Sequence, residues 1–239
     1  MTRGDTLDAV SRDIVACAAC PRLRRHCERV AAAGKREFAG WTYWGKPVPG
    51  FGDERSEVLI VGLAPAAHGA NRTGRMFTGD GSATWLIRAM HRAGFATQPT
   101  SLRRDDGLRL ERAYLTAVVR CAPPDNRPRP DEIARCTRFL LREWALLTPV
   151  RVVVPLGLIA FAACRRHLRT LGAPVAGMRF AHGAVYALGG GFPTVVCSYH
   201  PSRQNTNTGR LTEAMLDQVF QTVRALVDGR RGRRMKGDR

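Results

Sequence analysis

The chain has 239 residues, of which 44% are hydrophobic, and its 38 lysines and arginines against 20 acidic residues give a formal net charge of +18. This length and composition exclude a disordered chain and allow one α/β domain with a sizeable core, or at most two small domains. The charge favours a polyanionic partner such as nucleic acid, with a general coding bias toward arginine as the alternative, because much of the charge is scattered.

Neither an apolar leader nor a membrane segment is visible in the sequence. Residues 1–5 contain no apolar signal region, and the longest apolar run, residues 152–164, is too short to span a bilayer. These features predict an intracellular, cytoplasmic protein. No repeat or long linker divides the chain, so we expect one domain over residues 1–228. Residues 229–239 are predicted to form a basic, disordered tail that touches DNA backbone without specificity.

Strand and helix patterns alternate along the chain after an aromatic- and glycine-rich stretch at residues 38–53, which is typical of an irregular packed loop. The strands are short runs of apolar, often β-branched residues, predicted at 57–63, 114–119, 151–155 and 194–198. The helices are predicted at 7–17, 83–93, 130–147, 158–171 and 212–227. This alternation predicts a parallel sheet covered by helices on both faces, with ligands bound at the carboxyl ends of the strands.

Four of the seven cysteines have a spacing that suits a bound cofactor, since thiols in a reducing compartment seldom form disulfides. Cys17 and Cys20 form a CxxC turn, and Cys121 and Cys136 enclose a proline-rich loop whose ends can return to one point. Spacing alone leaves open an iron–sulfur cluster, a zinc site and unliganded thiols, because zinc ribbons usually have two CxxC turns. The remaining cysteines are left outside the site: Cys27, Cys164 and Cys197.

The loop after the first predicted strand, residues 62–80, is rich in small residues that permit close backbone approach to a planar ligand or an anion. It matches neither G-x-G-x-x-G nor a Walker A loop, so by itself it is a weak phosphate-binding candidate. The stretch closely resembles the first motif of the type 5 (B-type) uracil-DNA glycosylases. Val119–Pro128 resembles that family's second motif and Ser198–Thr206 its third, and the four spaced cysteines fall where the family ligates a [4Fe–4S] cluster.

The resemblance extends from Cys17 to Leu211 and implies a three-layer α/β/α sandwich with a central, mainly parallel, four-stranded sheet. It also implies a monofunctional DNA N-glycosylase of base-excision repair, which flips out uracil and other deaminated or modified bases such as hypoxanthine or ethenocytosine. Such an enzyme hydrolyses the N-glycosidic bond and leaves an abasic site. A monomer is expected, as is a structural [4Fe–4S] cluster bound by Cys17, Cys20, Cys121 and Cys136.

Four side chains of the motifs are expected to act directly on the extruded base or on the attacking water. Phe77 matches the aromatic that stacks on the base, with core packing as the alternative. Asp80 is predicted to position or activate the water, unless it only caps the following helix. His200 is expected to donate to a base carbonyl, with a structural role as the alternative. Asn126 is expected to hold water or the base, unless it is only a turn residue.

Further contacts to the nucleotide are expected from the first and third motifs. Their residues are predicted to contact the base, through backbone amides where side chains are small, or to insert into the DNA: Gly62, Leu63, Ala64, Pro65, Ala66, His68, Ser202, Arg203 and Asn205. Ala66 and Ala67 stand where several other glycosylase families carry an acidic or amide side chain for the water. Their presence moves that role to Asp80 and predicts a roomier, less uracil-restricted pocket.

Two interpretations from other classes share some of these features. A non-catalytic iron–sulfur protein that binds nucleic acid would explain the cysteines and the charge, but not Phe77, Asp80 and His200 together. A zinc-dependent nuclease or deaminase is disfavoured because no His-x-Glu or His-x-x-Glu-His motif accompanies the cysteines. The loop between Cys121 and Cys136 contains Asn126, so a cluster is expected to hold this loop in place rather than to act in redox catalysis.

Overall fold

A computed structural model describes residues 4–234 of the chain, with side chains through residue 229. The described strands are β1 (Phe51–Gly52), β2 (Val58–Gly62), β3 (Ala113–Ala117), β4 (Val152–Pro155), β5 (Val185–Tyr186) and β6 (Thr194–Val196). The described helices are α1 (Leu7–Val15), α2 (Pro21–Ala33), α3 (Ala70–Thr73), α4 (Gly81–Arg92), α5 (Pro130–Leu146), α6 (Leu158–Thr170), α7 (Arg203–Asn207) and α8 (Glu213–Arg234). Short 3-10 turns lie at Arg36–Phe38 and Pro124–Asn126.

The strands form one sheet in the order β1-β3-β2-β4-β6-β5. The four inner strands run parallel, and β2 is at the centre, with Val58 opposite both Ala113 of β3 and Val152 of β4. The parallel four-stranded core is therefore confirmed. The expected strand count is corrected to six, because β1 and β5 add an antiparallel strand at each edge. Each has only two residues, which is too short for a recognisable period-two pattern.

Alternate side chains of β2 enter separate cores on the two faces of the sheet, as the pleat requires. Leu59 and Val61 pack on one face against helices α1, α2, α5 and α6. Val58 and Ile60 pack on the other face against α4 and α8, where Phe220 is fully buried. These two cores give the three-layer α/β/α arrangement that was expected.

The sequence pattern does not predict α2, and the expected tail at the end of the chain is described only in part. Helix α2 buries only Leu23 and Cys27 and is otherwise rich in arginine, so its apolar stripe is too thin to stand out. At the other end, α8 is assigned through Arg234, which lies inside the expected tail. Residues 235–239 lie outside the described residues, and the disordered tail stays a prediction. None of the described helices is both long and apolar enough to cross a membrane.

Candidate active site

The carboxyl ends of the parallel strands bring the three motif loops to one edge of the sheet. The amide of Val118 donates to the carbonyl of Gly62 (3.0 Å), and the amide of Val119 donates to that of Leu63 (2.9 Å), so the first two loops stay paired beyond β2 and β3. The third loop is joined to the loop after β4 by the Gly157 amide, which donates to the Ser198 carbonyl (2.8 Å). This edge is where open α/β sheets bind ligands.

Phe77 lies directly over the end of β2. A Cβ at Gly62 would be 2.7 Å from Phe77 Cζ, so only glycine allows this approach. Phe77 has a left-handed backbone (φ 47°), a conformation that costs a non-glycine residue about 1–3 kcal/mol and points to a site requirement. The Ser101 hydroxyl donates to the Phe77 carbonyl (2.9 Å) and holds this geometry. The ring is only half-buried and packs partly on the core.

His200 lies beside Phe77, with ring centroids 6.1 Å apart and an angle of 33° between the planes. The side-chain amide of Asn205 donates to the His200 carbonyl (2.8 Å) and fixes the loop after β6. Burial lowers the pKa of His200 to about 4. The imidazole is therefore neutral at neutral pH, with one ring nitrogen as donor and the other as acceptor. Two of the expected site side chains are thus brought together at the sheet edge.

Asp80 is the N-cap residue of α4, as the alternative interpretation held. Its Oδ1 accepts from the Ala83 amide (2.9 Å), while its Oδ2 lies against Gly69, where a Cβ would be 1.9 Å away. Burial raises the pKa of Asp80. The Ala83 and Ser82 amides and the positive charges of Arg72 and Arg203 oppose that rise. The cap holds the carboxylate in one orientation and does not by itself exclude a second role.

Asn126 is exposed and ends the 3-10 turn after β3. Both Asp125 and Asn126 have left-handed backbones (φ 54° and 56°), which asparagine and aspartate tolerate better than most residues. No hydrogen bond joins the Asn126 side chain to any other residue that the structure describes. The turn explains the residue type here, and the structure does not bring Asn126 into contact with Phe77, Asp80 or His200.

The third motif is folded as a short helix rather than an open loop. Ser202 caps α7 by accepting from the Asn205 amide (3.3 Å), and Asn205 in turn holds His200. Arg203 is exposed, and its Nε would be 4.0 Å from a Cβ at Gly81, so it stands over the start of α4 near Asp80. Ser202 and Asn205 therefore have internal roles that the sequence did not indicate, while Arg203 faces outward.

Two residues to which the sequence assigns no role, Tyr43 and Arg72, contact the first motif or lie within it. The Tyr43 hydroxyl and His68 Nδ1 are 3.1 Å apart, which positions His68 from the aromatic-rich stretch. The Arg72 guanidinium contacts the rings of both Phe38 and Trp41 of the same stretch, which meet at an angle of 70°. The richness in aromatic residues was visible in the sequence, but no spacing rule shows which loop such a stretch covers.

The four spaced cysteines come from three segments: the CxxC turn between α1 and α2, the loop after β3, and α5. Cys17 follows α1, Cys20 caps α2, Cys121 follows β3, and Cys136 lies in α5. Burial raises the pKa of Cys20, and the nearby thiols of Cys121 and Cys17 raise it further. Burial also raises the pKa of Cys136 to about 12, and the same two thiols contribute. The four sulfurs therefore lie within electrostatic range of one another.

Contacts around these thiols hold them in one group. Arg22 makes a bidentate pair with Glu132 (2.8 and 2.7 Å), which ties α2 to α5. The Arg120 amide donates to Cys136 Sγ (3.2 Å) and the Arg138 guanidinium to Cys17 Sγ (3.8 Å). Within residues 4–234, no three histidine, cysteine or acidic side chains are arranged to hold a metal ion.

Cys27 is not among the four spaced cysteines, but it lies beside Cys121. The neighbouring Cys27 thiol and burial raise the pKa of Cys121, and the Cys27 thiol donates to the Ala122 carbonyl (3.6 Å). The other two cysteines are buried in the hydrophobic core on the α1 face of the sheet, as expected: Cys164 and Cys197.

The fold is a three-layer α/β/α sandwich, and its three motif loops meet at the carboxyl edge of the sheet, where Phe77 lies beside His200. A family model described as the uracil DNA glycosylase superfamily matches residues 49–224, and the chain belongs to this family.

Relatives narrow the family to the type 5 glycosylases. The chain is 50% identical to the type-5 uracil-DNA glycosylase of Mycobacterium bovis, over 90% of this chain and 79% of the relative. It is 49% identical to the Thermus thermophilus protein of that name (92% and 98% covered) and 46% identical to that of Pyrobaculum aerophilum (93% and 94%). The resemblance seen in the sequence motifs is confirmed.

Proposed function

We propose that the protein is a monofunctional DNA glycosylase that flips uracil out of DNA and hydrolyses its N-glycosidic bond, leaving an abasic site for base-excision repair. The observation that carries the proposal is the pairing of Phe77 with a neutral His200 at the carboxyl edge of the sheet. An exposed aromatic face and a fixed donor beside it are what recognition of an extruded base requires. The membership in the uracil DNA glycosylase superfamily supports the same reaction.

The first step is the capture of the extruded base. A stacked base cannot be reached, so the nucleotide leaves the helix at a cost of about a few kcal/mol, which is smallest at a mismatch such as U·G. In this proposal the free face of Phe77 stacks on the base and recovers part of that cost. The backbone amides of Ala64 and Ala66 contact the base edge, because the side chains there are small and only half-buried, while the buried Gly62 leaves space for the Phe77 ring over β2. Arg203, which is exposed beside α4, meets the DNA phosphates.

The second step is the breaking of the bond between the sugar and the base. Negative charge develops on the departing base and positive charge on the sugar, so a donor at the base and a carboxylate near the sugar act where charge forms. His200 donates an N–H to a base carbonyl. Asp80 positions the attacking water and accepts its proton, using an oxygen that the Ala83 cap does not occupy. Asn126 is assigned to holding the water or the base from the loop after β3.

The range of bases is a further part of the proposal. Ala66 and Ala67 place no polar side chain beside the base, so no specific hydrogen bond rejects a base other than uracil. We therefore include hypoxanthine and ethenocytosine among the substrates. Chromosomal DNA is the partner, which agrees with the net charge of +18, and the protein acts as a monomer at the nucleoid in the cytoplasm.

The four spaced cysteines are proposed to hold a [4Fe–4S] cluster. The donor set fits, because thiols from three segments are near enough to influence one another's pKa, and two of their sulfurs already accept hydrogen bonds from N–H donors. A cluster is larger than a single ion, so its ligands stand farther apart than those around zinc. When bound, the cluster supplies a rigid cross-link between α1, α2, α5 and the loop after β3. The ligands are Cys17, Cys20, Cys121 and Cys136.

Replacing one ligand tests the cluster and its structural role. We expect Cys121→Ser to lose iron, sulfide and visible absorption, and to lose activity because the loop that contains Asn126 is no longer held. Iron and sulfide assays and thermal unfolding of the purified protein measure this. Cys164→Ser, at a buried cysteine outside the group, is the matched control and should keep iron, sulfide, visible absorption and activity. A well-folded Cys121→Ser protein with full activity would refute the structural role, and a colourless wild type containing zinc would refute the cluster.

Base release is tested directly on end-labelled DNA with one U·G pair, followed by alkali, which cleaves the strand wherever a base has been removed. We expect strand cleavage with wild-type protein and none on a matched C·G duplex. Cleavage without alkali would contradict a monofunctional glycosylase. Failure of cluster-loaded protein to release uracil would favour the non-catalytic nucleic-acid-binding interpretation instead.

Stacking on Phe77 makes a separate prediction. We expect Phe77→Ala to lower the rate of uracil release at limiting enzyme by about 10- to 100-fold, since stacking of a base on an aromatic ring contributes about 1–3 kcal/mol. Phe77→Tyr keeps a ring in place and should retain most of the activity. Single-turnover assays over a range of enzyme concentrations measure both variants. Equal losses in Phe77→Ala and Phe77→Tyr would show that the ring does not act by stacking.

A further inference from the structure

Arg72 on α3 is a buried cation held by aromatic rings. Its residue is 3% exposed, and the guanidinium carbon lies 3.7 Å from the centroid of the Phe38 ring and 4.1 Å from that of Trp41. No acidic side chain of the described residues forms an ion pair with Arg72 within 4.0 Å, and its Nη1 is buried without a hydrogen-bond partner there. Burying an arginine without a carboxylate is costly, so its position needs a reason beyond packing.

The hydrogen bonds of Arg72 join the two backbone segments that surround Asp80. Nε donates to the His68 carbonyl (2.8 Å) and Nη2 to the Gly79 carbonyl (2.8 Å). Gly79 is the residue before Asp80. On the other side, Asp80 Oδ2 lies against Gly69, the residue after His68. One planar guanidinium therefore fixes both the segment that carries the carboxylate and the segment that the carboxylate touches.

The backbone at Gly79 is shaped for this contact. Gly79 has a left-handed φ of 80°, and a Cβ there would be 2.5 Å from Arg72 Nη2. The turn before α4 can thus approach the guanidinium only with glycine at this position. The close approach also leaves no room for an ordered water between Arg72 and the chain before Asp80.

We propose that Arg72, clamped by Phe38 and Trp41, is a positioning residue for the reaction, which sets the place of the Asp80 carboxylate by holding the carbonyls of His68 and Gly79. This inference rests on the proposed function, because it concerns the carboxylate assigned to the attacking water. Arg72 touches neither the base nor the water in this proposal and acts only through Asp80.

The charge of Arg72 allows its positioning role to be distinguished from a purely structural role by the pH dependence of the rate. Arg72 and Arg203 are the charged groups with the largest effect on Asp80, and both oppose the rise in the pKa of Asp80 that burial causes. Removal of the Arg72 charge raises the pKa of Asp80 further. If the ionised carboxylate is the active form, the acidic limb of the pH–rate profile then moves to higher pH. Loss of geometry alone lowers the rate at every pH.

Two substitutions separate these effects. Arg72→Lys keeps the charge but loses the planar pair of donors, so we expect about a 10- to 100-fold lower single-turnover rate with an unmoved acidic limb. Arg72→Gln also removes the charge, so we expect a similar or larger loss and a limb shifted to higher pH. In both, substrate affinity should change little, because Arg72 does not touch DNA.

Arg75 offers a matched control in the same loop. It is also buried, but its charge is paired with Asp106 (2.8 Å), and it is not among the charges with the largest effect on Asp80. Arg75→Lys should lower the melting temperature without moving the acidic limb. If Arg72→Gln does not fold, Phe38→Leu decides instead, because it removes one ring of the clamp from a half-buried turn and should lower the single-turnover rate without changing affinity.

The decisive measurement is the single-turnover rate of uracil release against pH, with thermal unfolding, for wild type and these variants. The role of Arg72 would be overturned if Arg72→Gln left the acidic limb of the pH–rate profile unmoved and lost no more rate than Arg75→Lys. If Arg72→Gln does not fold, a Phe38→Leu protein with the wild-type rate would overturn the role instead. Wild-type uracil release is the reference. Its absence would reject the proposed function itself, whereas release with an unmoved profile rejects only the positioning role.

Discussion

Asp80→Asn is expected to lower the single-turnover rate of uracil release by about 10²- to 10⁴-fold, the usual contribution of a positioned acid–base group. Asparagine is as good an N-cap as aspartate, so the bond from the Ala83 amide and the start of α4 are kept. The substitution removes only the charge and the capacity to accept a proton from the water. Rapid-quench assays on U·G DNA, with enzyme in excess, measure the rate of the chemical step.

The two roles of Asp80 are separated by a second substitution and a matched cap. Asp80→Ala loses the cap as well, so its free energy of unfolding should fall by about 1 kcal/mol relative to Asp80→Asn. Thr6→Ala removes an equivalent cap from α1, where Thr6 Oγ1 accepts from the Ala9 amide (3.1 Å). It should lose similar stability and keep full activity. If Asp80→Asn releases uracil at the wild-type rate, the water is activated elsewhere, and Asn126 becomes the first candidate.

The central fold was predictable because its physical signals are local. Each inner strand is a run of consecutive apolar residues, since parallel strands are buried on both faces. The strand Val58–Gly62 lies inside the predicted 57–63, and α5 begins at the predicted Pro130. The two-residue edge strands and α2 were not predictable. The edge strands are too short to show a period, and α2 buries only Leu23 and Cys27 and is tied to α5 by the pair of Arg22 with Glu132, which is distant in sequence.

The site was predictable only as far as its residues lie in motifs. Phe77 and His200 are in different motifs, and the parallel sheet brings them together as the carboxyl-edge rule requires. The clamp on Arg72 was not predictable, because its rings come from a loop with no regular spacing. Asn205 is expected to contact DNA, and the structure adds that it holds the backbone of His200, a role that depends on the α7 turn. A motif thus indicates which residues matter before it indicates what each of them touches.

His200→Ala is expected to lower the rate of uracil release by about 10²- to 10³-fold, the cost of removing one preorganised donor to a developing anion. His200→Gln keeps an N–H donor of similar reach, so it should retain more activity than the alanine variant. The Asn205 bond is made to the backbone carbonyl of residue 200, so both variants keep the loop in place. Equal losses in the two variants would contradict a donor role and favour simple packing against Phe77.

The neutral state of His200 makes a prediction about stability that does not depend on activity. Its pKa falls from an ordinary value of about 6.5 to about 4 in the folded protein, so between these values the unfolded chain binds a proton that the folded protein does not. The wild type must lose stability as pH falls through this window, and His200→Gln should lose less. Denaturant unfolding at about pH 7.5 and pH 5 measures the difference, in which the other histidines cancel because both proteins share them. An equal loss in the two proteins would mean that His200 is solvated and charged at pH 5, which would remove the neutral donor from the mechanism.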